Sequence, residues 1–223
     1  MKLFLKALFD THPDPEWEQL LIQAGAEKTE QNSAQTTFNV DGETFIVEHI
    51  NEPVSTIDIL LNTQNIPQEI DTSWTVPLLA HNAHVIISCE TSNPLRCAQI
   101  MITIAAQMNP EAALWSYGAL VDSATLRAIQ SGDVPETFGL FTFNEWTDDQ
   151  NIALVATGTR ELIGQNIIYL DSIEEDNVLK ILHAATVYLL ENPISQWPET
   201  LSAENGIEIG VTNINHLTLL KLF

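Results

Sequence analysis

The stretch Ala83–Tyr117, AHVIISCETSNPLRCAQIMITIAAQMNPEAALWSY, decides the fold class. Its opening run His84–Cys89 (HVIISC) is short, apolar and rich in β-branched residues, which predicts a strand buried on both faces. Ser92-Asn93-Pro94 follows, a polar cap with proline at the first helical position, where a missing N–H costs nothing. The spacing then predicts a helix over Leu95–Met108. Its polar residues Arg96, Gln99, Thr103 and Gln107 recur at steps of three and four and form one narrow stripe. Leu95, Ala98, Met101, Ile102, Ile104, Ala105 and Met108 fill the rest, and such a helix must lie across a sheet. Asn109-Pro110 stops it, and Ala112–Tyr117 (AALWSY) reads as the next strand. A β-α-β core follows, without any chemistry attached.

Upstream, Lys2–Phe9 alternates partly and reads as a first strand. Asp14-Pro15 opens a helix that presents Trp17, Leu20, Leu21 and Ala24 on one face, and Gly25 closes it. Thr36–Val40 and Glu43–Ile50 flank Asp41-Gly42, a type I′ hairpin signal. Prolines 53, 67 and 77 break up Glu52–Trp74, where Ile57–Leu61 is a candidate short helix. Downstream, Asp122 or Ser123 caps a helix over Ala124–Gln130 that ends at Gly132. Thr137–Thr147 and Ile152–Thr157 read as a second hairpin around Asp148-Asp149-Gln150-Asn151. Asn166–Leu170 reads as a strand, and Ser172 with Glu175 as a capping box for a helix over Glu175–Glu191. That helix should bury Val178, Leu179, Ile181, Leu182, Ala185 and Leu189. Gly206–Val211 and His216–Leu222 close the chain as strands. The expectation is an α+β fold with a mixed, largely antiparallel sheet. Each half offers strands, a hairpin and a long helix, the pattern of a faint duplication. A single domain is expected over residues 1–223, any subdivision falling near 74–83.

The chain has 30 acids against 8 bases, a net charge of −22. The excess is even: residues 1–111 and 112–223 each carry 15 acids and 4 bases, so it belongs to a folded surface. Such a surface repels nucleic acid and anionic lipid, and it suits basic protein partners or high solubility. No apolar run approaches the roughly 18 residues of a membrane span. Lys6 interrupts the apolar start, so a signal peptide is not expected and a cytoplasmic location is.

Few residues carry recognisable chemistry. His81 and His84 form an H-x-x-H, but a third ligand is missing and His84 opens a buried strand, which favours a structural role. Cys89 and Cys97 fall on the core strand and helix and read as small buried thiols. Glu174-Glu175-Asp176 complements a helix N-terminus. The isolated glycines make no phosphate loop, and no nucleophile elbow occurs. Glu145, Trp146, Asp148 and Asp149 combine an amphipathic aromatic with three carboxylates near one turn. They are the candidate partner-binding residues, set against the blander alternative of a solvated turn whose acids protect a sheet edge.

The segments AHVIISC (Ala83–Cys89) and LWSYGALVDS (Leu114–Ser123) around the long helix resemble the bacterial family catalogued as domain of unknown function 4261. GLFTF (Gly139–Phe143), ALVATGTRELIGQNI (Ala153–Ile167) and YLLENP (Tyr188–Pro193) are similar to its second half, so the resemblance runs roughly from Trp74 to Phe223. Where that pattern leads one to expect an acid, this chain has Gln165-Asn166, and no acidic site is implied there. The family is uncharacterised; the resemblance implies at most a bacterial immunity-type or accessory role beside secreted toxins. The expected function is a non-enzymatic, acidic binding protein that neutralises a toxin partner, with no cofactor or metal and with self-association left open. The alternatives are an enzyme using His84, Cys89, Trp115 and Asp122 at the core strand ends, or a metal-stabilised scaffold.

Overall fold

Strand β1 (Lys2–Phe9) enters a seven-stranded sheet between two strands that come about eighty and a hundred residues later. The computed structural model describes the chain apart from residues 12, 14–15, 33, 56–58, 60–79, 148–151, 170–177 and 203–205. The described residues divide into two compact units, one reaching to Leu140 and the other beginning at Phe141.

In the first unit β1 leads to helix α1 (Glu16–Gln23) and then to β2 (Glu27–Gln31), β3 (Gln35–Val40) and β4 (Glu43–Ile50). Asp41 and Gly42 between β3 and β4 have φ of 54° and 84°, the left-handed pair a type I′ turn requires. Strand β5 (Ala83–Glu90), helix α2 (Pro94–Gln107), β6 (Ala112–Trp115), β7 (Leu120–Asp122) and helix α3 (Ser123–Ser131) complete the unit. The strand order is β2-β3-β4-β5-β1-β6-β7, with every neighbouring pair antiparallel. Because β1 is antiparallel to both β5 and β6, those two run parallel to each other with β1 between them. The β-α-β unit is therefore present but split.

One face of this sheet is dry. Leu3, Leu5, Ala7, Phe45, Val47, Val85 and Ile87 sit in register across β1, β4 and β5 and are fully buried. Helix α2 lies on this face, burying Cys97, Ala98, Ile100, Met101, Ile102, Ile104, Ala105 and Ala106. Arg96 is exposed and Gln99, Thr103 and Gln107 are half-buried, so the narrow polar stripe is real. On the other face Phe4, Ile46 and Ile86 are only half-buried, and Ile86 is the one residue of His84–Cys89 that is not fully buried.

Several expectations need correction. The strand after α2 ends at Trp115, because Gly118 (φ 93°) turns the chain into β7. Thr137 does not start a strand: Glu136–Gly139 is a 3-10 turn, and β8 begins at Thr142. Gly139 is drawn so close to α2 that an added Cβ would stand 2.7 Å from Ile102 Cγ1. Leu20 is exposed although Trp17 and Leu21 are buried, since α1 is too short to bury a full face. Strands β2, β7 and, later in the chain, Thr200–Ser202 had no local signal. The capping residues Asp14-Pro15, Ser172 and Glu175, most of Glu52–Trp74 and the tip residues 148–151 lie outside the described residues.

The second unit holds β8 (Thr142–Thr147), β9 (Ile152–Thr157), α4 (Thr159–Ile163), β10 (Asn166–Tyr169), α5 (Val178–Glu191), β11 (Thr200–Ser202), β12 (Glu208–Ile214) and β13 (Leu217–Leu222). Its sheet order is β11-β12-β13-β10-β9-β8, antiparallel except for the β10–β13 pair. Helix α5 buries Val178, Leu182, Ala185 and Leu189 as its periodicity predicts, while Leu179 and Ile181 are half-buried. The Trp197 indole donates to the carbonyls of Leu189 and Asn192 at 2.9 Å each, closing the end of α5. The class is α+β, with the strands shared between two sheets.

Candidate functional site

The hairpin β8–β9 places Trp146 at the edge of the second sheet, since β8 is the last strand in that order. Trp146 pairs with Ala153 and Glu145 with Leu154, so the two side chains point to opposite faces. Glu145 is half-buried. Trp146 is 58% exposed, whereas Trp17 and Trp115 are buried at 3% and 1%. An indole left in water forfeits a large burial term and marks a contact surface more strongly than a lone exposed leucine does. Asp148 and Asp149 lie outside the described residues, so of the four candidates the structure locates Glu145 and Trp146.

The residues of the enzymatic alternative do not converge. His84 and Cys89 lie five residues apart on β5, about 17 Å, and point to opposite faces. The His84 ring donates from Nδ1 to the Glu52 carbonyl at 2.7 Å, which fixes its tautomer. Burial holds its pKa below the ordinary value, with Lys6 and His81 adding to the effect against the pull of the Glu52 carbonyl. His81 Nε2 accepts from the backbone N–H of Val54 at 2.7 Å. Trp115 is stacked on Tyr117, ring centroids 5.2 Å apart, and donates its indole proton to Gly139. Asp122 caps α3, accepting from the Thr125 N–H at 2.7 Å. His81, His84, Trp115 and Asp122 are each already engaged in holding the first unit together.

Two groupings were not legible in the sequence. A cleft of about 460 Å³ is lined by Phe9, Asp10, Glu16, Trp17, Leu20 and Glu111 among others, and it is acidic. Among the described residues its carboxylates come from the end of β1, the start of α1 and the residue before β6. The other grouping is Glu43, Cys89 and Cys97, whose carboxylate and sulfur atoms all lie within 4.8 Å of one another. Both cysteines are buried and reduced. Among the described residues no helix is long and apolar enough to cross a membrane. Compared with protein-family models, curated proteins and solved structures, the chain gives no match.

Proposed function

We propose that the chain is a non-enzymatic protein-binding module, most concretely an acidic immunity-type protein that neutralises a toxin, with Trp146 at the contact surface. The single observation that carries this is the 58% exposure of Trp146 on an edge strand. A net charge of −22 supports a basic partner, because a strong field of one sign speeds association with a protein of the other. The aromatic would supply burial, and the acids of the hairpin would set orientation and on-rate. The resemblance to an uncharacterised bacterial family adds context and no chemistry.

The test is association with the product of the neighbouring gene at low and high salt. Trp146→Ala should weaken binding by well over tenfold, as should Asp148→Lys combined with Asp149→Lys at low salt, with thermal stability almost unchanged. No binding at micromolar protein in low salt, or unchanged affinity in both variants, would remove the proposal.

A further inference from the structure

We infer that Glu43, Cys89 and Cys97 form a binding site for a thiophilic divalent cation of the zinc class. The three donors converge from separate elements. Cys89 lies near the end of β5, Cys97 in the first turns of α2, and Glu43 opens β4 directly across from that end of β5. The two sulfurs are 3.5 Å apart. Two thiolates on a tetrahedral zinc, each at about 2.3 Å, stand roughly 3.8 Å apart, so the pair is close to a coordination edge already. A disulfide would require closure to about 2.0 Å. The Glu43 carboxylate completes three donors within 4.8 Å, and a shift of about an ångström would bring it to bonding distance. The fourth tetrahedral position is left for water, reached from the half-exposed Glu43 side.

A second layer of contacts orients this set. Thr91 is buried; its hydroxyl accepts from the Asn93 N–H at 2.8 Å, which leaves its proton for Glu43 Oε1 at 3.2 Å. Such an outer hydrogen bond fixes a ligating carboxylate, and metal sites commonly carry one. A bound cation takes the place of the thiol protons. Binding writes as one metal ion in and two protons out, with no redox change. This holds whether or not the hairpin of the second unit binds a protein.

The experiment is titration of the reduced, metal-stripped full chain with Co²⁺ under argon, followed by competition with Zn²⁺. One equivalent of Co²⁺ should produce a sulfur-to-cobalt charge-transfer band and the intense visible bands of a tetrahedral site, both abolished by Zn²⁺. Affinity should fall as the solution is acidified, because protons compete with the metal for the thiols. Cys97→Ser should lose the charge-transfer band. Glu43→Gln, which leaves both thiols in place, should keep that band and weaken affinity at least tenfold. Absence of the band with cobalt in large excess overturns the site, as does an undiminished band in Cys97→Ser. So does a Glu43→Gln variant of unchanged affinity. Rapid oxidation of the pair to a disulfide, with no metal bound to the reduced form, would likewise overturn it.

Discussion

The indole N–H of Trp115 donates to the carbonyl oxygen of Gly139 at 2.8 Å, tying the end of β6 to a 3-10 turn twenty-four residues away. Gly139 can stand there only without a side chain, because a Cβ would meet Ile102 at 2.7 Å and Ile129 at 3.0 Å. One hydrogen bond thus registers the sheet, α2 and α3 against each other.

Gly139→Ala should therefore destabilise the first unit by about 1–3 kcal/mol through overpacking. Trp115→Phe should cost a similar 1–3 kcal/mol, since it leaves a buried carbonyl without its donor. Urea unfolding midpoints measure both. A Gly139→Ala variant as stable as the parent would show that Ile102 shifts freely, against the packing described above.

Acid should weaken the second unit before carboxylates titrate. His183 lies against Phe141 with ring centroids 4.5 Å apart and planes tilted by 31°, and burial lowers its pKa from 6.5 to about 4. The unfolded chain takes up the proton near 6.5 while the folded ring resists until about 4. Stability is thus complete above 6.5 and drains as pH falls toward 4, by about 1–3 kcal/mol. His84, also lowered, gives the first unit a dependence of the same sign. Replacing His183 by Phe should flatten the pH dependence of the unfolding midpoint across this window.

Thr186 on α5 is fully buried, and among the described residues its hydroxyl oxygen has no hydrogen-bond partner. Thr186→Val keeps the shape and removes the desolvated polar atom. It should stabilise the chain by up to about 1 kcal/mol in thermal or urea unfolding. A loss of stability would mean that the hydroxyl is satisfied in solution, by water.

Arg96 and Asp41 form an ion pair at 2.5 Å, with side chains 53% and 61% exposed. Water and salt screen such a pair, so Arg96→Ala should change stability by less than about 1 kcal/mol. The effect should shrink further at high salt. A larger change would show that the stem of Arg96 contributes packing beyond its charge.

Much of the first unit is legible in local pattern. The helix of Pro94–Gln107, its proline start and its polar stripe follow from a 3.6-residue period, and the Asp41-Gly42 turn from the need for positive φ. Side-chain periodicity and backbone sterics act over a few residues, so a linear reading reaches them. The exposure of Trp146 is different in kind, because an aromatic on an alternating strand is apolar whichever face it occupies. Its prominence depends on β8 being an edge.

Pairing across long separations is decided by the assembled sheet. Nothing near Lys2–Phe9 says that it will divide a parallel pair, and β2 (EKTEQ) is a strand because β3 offers it a ladder, not because its residues favour one. Glu43 meets Cys89 and Cys97 for the same reason: the antiparallel register of β4 on β5 sets Phe45 opposite Cys89 and brings Glu43 beside the sulfurs. Local composition can place two cysteines on a strand and a helix eight residues apart. Bringing a carboxylate from forty-six residues upstream takes the closed backbone hydrogen bonds of the sheet, whose energy is recovered only when the whole ladder forms.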